Sequence, residues 1–175
     1  DEFGARYVVT DQLDRNGLAV MAAAVDTPTF ALLDAGDVPT HDLIERLAAA
    51  ISDERVAVVQ GLGVAASVDS VEHGPGHRHE LDFERATLNP ALGRRGLAIW
   101  TGSGSLLRTH LVRRDEPWSG TALEAQWQSS AGWLAAGWQI VAPDDSPVVV
   151  HRSVHAEPAV ALDRTQRARA ARHLL

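Results

Sequence analysis

The chain has no cysteine and no lysine among its 175 residues. The first absence excludes a disulfide framework and any thiolate chemistry. The second accompanies an abundance of alanine and arginine, which we read as a coding bias rather than as a function. No apolar run approaches the roughly 18 residues that a membrane-spanning helix needs. The first residues, Asp1-Glu2-Phe3-Gly4, carry no basic n-region, so they do not read as a signal peptide. The formal net charge is −7, with acids and bases interspersed. A basic face is therefore missing, and nucleic acid is not an expected partner. What is present is a chain 45% hydrophobic, enough for one domain over residues 1–175 with a real core.

The apolar pattern alternates between two periods. Tyr7-Val8-Val9 reads as a short strand and Gly17 to Val25 as a helix ended by Thr27-Pro28. Phe30 to Asp34 is expected as a continuous apolar strand of the buried parallel type. Thr40 is the expected N-cap of a helix carrying Leu43, Ile44, Leu47 and Ile51 at helical spacing. Val56 to Gln60 is the next buried strand. This β-α-β-α-β order predicts an α/β fold, with a mainly parallel sheet and flanking helices. Gly61 to His79 reads as loop, Glu80 to Leu92 as helix and Leu97 to Trp100 as strand. A tight turn follows at Thr101-Gly102-Ser103-Gly104-Ser105, and Leu106-Leu107-Arg108 continues from it. Thr121 and Glu124 form a capping box that opens a helix ending at Gly137. Short strands are expected at Gln139 to Ala142 and Val148 to His151, and an Arg-rich amphipathic helix from Pro158 to Leu175.

Three groups of residues carry chemistry. Asp34 and Asp37 flank a turn at a strand end, where open α/β sheets bind ligands. Such a pair supplies hard oxygen ligands for a divalent metal, or merely caps a turn and starts a helix. His73, His77 and His79 lie in a Gly-Pro loop. Imidazole suits zinc, nickel or copper, but the spacing matches no metal signature and a surface loop is the simpler reading. His151 and His155 are weighed the same way. Five tryptophans complete the set. Trp127, Trp133 and Trp138 belong to or adjoin one helix and are expected in the core, whereas Trp100, beside the Gly-Ser turn, is the better candidate for a ligand contact.

The stretch Phe30-Ala31-Leu32-Leu33-Asp34-Ala35-Gly36-Asp37-Val38-Pro39 resembles the strand–DxD turn of the family-2 glycosyltransferases of the cellulose-synthase-like type, L-D-A-D-x-x-P, with the second acid one place late. Further matches follow in the family's order. Arg15-Asn16-Gly17-Leu18-Ala19 is similar to K-A-G-x-L-N, and Asp53, Arg55 and Val56 to Gln60 to D-x-R-V-A-x-V-Q. Trp100 to Arg108 is similar to C-G-T-N-A-x-x-R, Gly137-Trp138 with Pro143 to G-W-x-x-x-Y-x-P, and Gln166 to Ala170 to Q-x-x-R-W.

The resemblance implies the later part of a GT-A nucleotide-diphospho-sugar transferase domain. The parent would be a membrane-embedded polysaccharide synthase at the cytoplasmic face of the plasma membrane. It would pass a sugar from a nucleoside diphosphate donor to a glycan acceptor. Asp34 and Asp37 would hold Mg2+ or Mn2+. Ser103 and Ser105, with Trp100, would face the acceptor, and Gln166, Arg169 and Arg15 would lie at the donor and acceptor sites. The family's T-E-D base falls at Glu124-Ala125-Gln126, where Glu124 is the nearest carboxylate. Closing the capping box is its plainer role. Ala170 replaces the family's sugar-stacking Trp, and the first strands of the domain have no counterpart here. The expectations are therefore no transfer by this chain itself, membrane contact only through flanking segments, and a sheet edge able to form a homodimer. The alternative is a non-catalytic glycosyltransferase-like domain that binds a partner or a nucleotide.

Overall fold

The computed structural model describes residues 17–34, 37–65, 84–114, 122–143 and 149–151. The expected strand at Tyr7, the histidine loop, His155 and the Arg-rich tail lie outside them.

The fold is α/β. Its main sheet holds four strands in the order β1-β5-β3-β6. These are β1 (Thr29–Leu32), β3 (Val56–Gln60), β5 (Ser105–Arg108) and β6 (Gln139–Val141). A smaller sheet orders β2 (Val38–Pro39), β7 (Val149–His151) and β4 (Gly63–Ala65) as β2-β7-β4. The helices are α1 (Gly17–Ala23), α2 (Leu43–Ile51), α3 (Asn89–Gly93), α4 (Thr109–Arg114) and α5 (Ala122–Ala135), and a π-helical turn, Glu84–Leu88, leads into α3.

The main sheet is mixed rather than mainly parallel. β5 pairs antiparallel with both β1 and β3, and β3 pairs parallel with β6. Three strands thus share one direction and β5 alone opposes them. The reversal comes from the turn at residues 101–104, where Gly102 and Gly104 hold φ of 94° and 75°. Residues with a Cβ rarely adopt that conformation. Before the turn the chain runs parallel to β6, through a single bridge between Leu97 and Ile140. Leu97 to Trp100 does not extend into a strand because side chains take its backbone groups. Asn89 accepts from the Ile99 N–H at 2.7 Å and donates to the Ile99 carbonyl at 2.9 Å, while Ser130 Oγ accepts from the Trp100 N–H at 3.0 Å.

Both faces of the sheet are covered. Leu43, Leu47 and Ile51 recur every fourth residue on α2 and pack on Val56, Val59 and Leu106. Ile44 shares that helix but is 54% exposed, since its position is one residue round from the stripe. The opposite face joins Ala57, Val58 and Leu107 to Trp100, Leu111, Val112 and Trp133. Neighbouring Ala57 and Val58 fall in the same cluster because the register slips between Val56 and Val58. A bulge of this kind turns two consecutive side chains to one side.

Asp42, not Thr40, is the N-cap residue of α2, and its side chain makes no cap bond. Thr40 instead hydrogen-bonds the Asp42 carboxyl and holds it below its ordinary value of 3.8. α5 ends as expected. Gly137 has φ of 88°, its N–H donates to the Leu134 carbonyl, and the Trp138 N–H reaches back to the Trp133 carbonyl at 2.9 Å. This pair of bonds closes the helix and aims the chain into β6. Among the described residues, no helix is long and apolar enough to cross a membrane.

Candidate functional site

Because β1 and β3 run the same way, their C-terminal ends lie on one edge, and β5 starts between them. The turn at 101–104 is therefore held over both ends. The Gly104 N–H donates to the Leu32 carbonyl at 2.9 Å, and the Gly61 N–H donates to the Gly104 carbonyl at 2.9 Å. These bonds tie the turn to the last residue of β1 and to the residue after β3.

The acids meet the turn at Ser103. The Asp34 N–H donates to Ser103 Oγ at 3.0 Å, and Ser103 Oγ donates to Asp37 Oδ2 at 2.5 Å. The Asp37 N–H also donates to the Asp34 carbonyl at 3.1 Å, which closes the local turn. Residues 66 to 69 positions apart in the chain thus converge on one hydroxyl. Asp34 is exposed and Asp37 half-buried, so the pair lies at the protein surface beside a rigid loop.

Two glutamines complete the site. Gln60, at the end of β3, is 4% exposed. Its Nε2 donates to the carbonyls of Gly61 and Ser103 at 3.1 and 3.0 Å, and its Oε1 accepts from the Thr101 N–H at 2.9 Å. Gln126, in α5, reaches the turn from the other side. A Cβ on Gly102 would lie 2.7 Å from Gln126 Nε2. Ser130 fastens α5 to the same segment, donating to the Gln126 carbonyl at 2.7 Å while accepting from the Trp100 N–H.

Trp100 and Ser105 depart from expectation. Trp100 is 2% exposed and its ring lies 5.7 Å from that of Trp133. Its Nε1 donates to Ser105 Oγ at 3.0 Å, and the Ser105 hydroxyl donates to the Gly102 carbonyl at 2.5 Å. Ser105 is fully buried. Neither side chain reaches the surface. Together they brace the turn from the core side, because a buried indole N–H needs an acceptor. Trp133 is core, as expected, and Trp138 packs on the same cluster with its ring edge against His110. Glu124 belongs to α5, but its side chain lies outside the described residues, as do Arg15, Gln166 and Arg169.

Carboxylate and hydroxyl oxygens, the side-chain groups of Asp34, Asp37 and Ser103, are the hard donors that divalent cations take. Mg2+ is commonly held by one or two carboxylates, with substrate phosphates and water completing its shell. Among the described residues no three His, Asp or Glu side chains come together. Among the described residues, a charge pair lies elsewhere, just before β3. Arg55 donates to Asp53 at 2.8 Å, and chiefly that hydrogen bond lowers the Asp53 carboxyl to about 2.

Gln60 and Gln126 are the site residues that sequence reasoning did not single out for this role. Gln60 carries a usable signal, a polar side chain closing the apolar run Val56-Ala57-Val58-Val59, which must find buried partners. Gln126 carries none, since only the packing of α5 brings it to Gly102. No protein-family model matches this chain, and no curated protein matches it in sequence. The site therefore defines a class and no more: an α/β domain in which the backbone of Asp34 and the carboxylate of Asp37 meet the hydroxyl of a braced turn at a strand end.

Proposed function

We propose that this chain is the later part of a GT-A glycosyltransferase domain of the family-2, cellulose-synthase-like type, from a membrane-embedded polysaccharide synthase. The observation that carries this reading is the Ser103 junction. The segment resembling the metal–diphosphate motif, Asp34 to Asp37, and the segment resembling the acceptor motif, Trp100 to Arg108, share hydrogen bonds at one hydroxyl. Sugar transfer needs those two functions side by side.

In this reading Asp34 and Asp37 hold the cation, and the turn at 101–104 borders the space where the acceptor lies. A bound Mg2+ or Mn2+ would stabilise the charge of the departing diphosphate. The chain's own residues hold and orient. A general base must accept a proton, and the side chain against Gly102 is the amide of Gln126, which cannot. This contact favours the second reading, a glycosyltransferase-like domain that binds donor or acceptor without turnover. Under both readings we expect no sugar transfer by this chain.

The test is calorimetric titration of UDP, and separately of inorganic pyrophosphate, with and without Mn2+. Mn2+-dependent binding of either that disappears in Asp34→Ala/Asp37→Ala supports the diphosphate site. Equal binding by that variant, or silence of the wild type toward both, overturns it. Transfer from a UDP-sugar by the wild type would refute the binding-only reading.

A further inference from the structure

We propose that Gln60 is the positioning residue of this site. Its amide holds the turn at 101–104 in the one register that lets the Ser103 hydroxyl join Asp34 to Asp37. The two donor hydrogens go to carbonyls on either side of the turn's base, Gly61 and Ser103, and the acceptor oxygen takes the Thr101 N–H. The amide cannot flip, because each end faces a backbone group of the opposite kind. A buried amide is costly unless satisfied, and here its partners lie on the turn and on the residue after β3.

The Ser103 carbonyl is gripped by Gln60 while the hydroxyl of the same residue engages Asp34 and Asp37. A shift of the turn along β3 moves carbonyl and hydroxyl together. Gln60 itself makes no side-chain hydrogen bond to either acid, so it acts through Ser103. The side chain is specific to this task. Glutamate of the same length can accept from Thr101, but once ionised it sets its charge against two carbonyl oxygens. Protonated, it regains one donor hydrogen. Gln60→Glu therefore makes the turn's register depend on pH, since burial raises a carboxyl's pKa. Gln60→Met keeps the volume and removes every bond.

The test reads amide hydrogen exchange by NMR at Asp34, whose N–H is held by Ser103 Oγ, with Ala57 and Val58 of β3 as reporters of global folding. Ser103→Ala is the control. The expected result for Gln60→Glu is protection at Asp34 near the wild-type level at pH 5 and at least about tenfold lower at pH 8, a hydrogen bond's worth. Gln60→Met loses about tenfold at both pH values, with Ala57 and Val58 unchanged. Where Gln60→Met does not fold, the pH response of Gln60→Glu decides alone. Wild-type protection in Gln60→Glu at both pH values, or in Ser103→Ala, overturns the proposal.

The functional consequence rests on the proposed function. Mn2+ affinity in the presence of inorganic pyrophosphate, read from paramagnetic broadening at Asp37, is expected to fall about tenfold in Gln60→Met, in step with protection at Asp34. A wild type that binds no Mn2+ even with inorganic pyrophosphate present overturns the diphosphate reading and leaves the positioning role standing. Unchanged Mn2+ affinity despite lost protection overturns the coupling between turn and acids.

Discussion

Gly102→Ala tests whether α5 is seated on the turn. The substitution meets two separate obstacles. The backbone at Gly102 has φ of 94°, a strained conformation that costs a residue with a Cβ roughly 1–3 kcal/mol. The new methyl would also lie 2.7 Å from Gln126 Nε2. Gln126 must then give way, at about 0.5–1.5 kcal/mol for an off-rotamer side chain. The expected loss is about 1.5–4.5 kcal/mol in all, and the two parts are separable. In a Gln126→Ala background the collision vanishes while the backbone strain remains. A double-mutant cycle by urea unfolding should therefore show a coupling of about 1 kcal/mol, with the double mutant less damaged than the sum of the singles. Additivity within about 0.3 kcal/mol would refute the contact between Gln126 and the turn. A cost for Gly102→Ala below about 0.5 kcal/mol would refute the turn geometry itself.

Arg108 donates to the carbonyls of Ile51, Asp53 and Val56 at 2.7–2.8 Å. Arg108→Ala should cost about 2–4 kcal/mol, and Arg108→Lys about half of that, because an ammonium cannot span three carbonyls in a fixed fork; urea midpoints at constant m check both. Ser129 Oγ is buried with no hydrogen-bond partner among the described residues. Ser129→Ala should raise stability by about 1 kcal/mol, and a lower melting temperature would refute this. The Asp53 carboxyl titrates at about 2, below its ordinary 3.8, chiefly through its bond from Arg55. Its folded pKa is depressed, so its contribution to stability is present above pH 3.8 and is lost as the pH falls toward 2. NMR titration of Arg55→Ala should return Asp53 toward 3.8; an unmoved midpoint would show that Arg55 is not the cause.

Local chemistry was legible in the sequence, and strand direction was not. Val56–Gln60 is a strand with the predicted bounds and is buried throughout, because a continuous apolar run has few other solutions. Leu43, Leu47 and Ile51 declare the inner face of α2, and Gly137 the end of α5, each by a mechanism confined to a few residues. The mixed sheet is different. Ser105-Leu106-Leu107-Arg108 has the same pattern read either way, and its direction depends on a reversal at two glycines and on a slot between β1 and β3. Trp100 was misplaced for a related reason. Its neighbours in sequence are turn residues, while its indole N–H finds Ser105 five positions later, inside the core. Residue types named Asp34, Asp37 and Ser103 as candidates, yet only the fold brings them to a common hydroxyl.

The lone reversed strand also bears on how the chain is made. β5 is the central filler of the main sheet, pairing Thr29 with Arg108 and Gln60 with Ser105. Both of its partners leave the ribosome first. At about 5–20 residues per second, β3 waits several seconds for the strand that covers it, and β1 waits longer. Throughout that interval two apolar strands present unpaired edges. Chaperone demand during synthesis should therefore peak before residue 105 emerges and fall once Arg108 has passed, a timing set by strand order rather than by overall hydrophobicity.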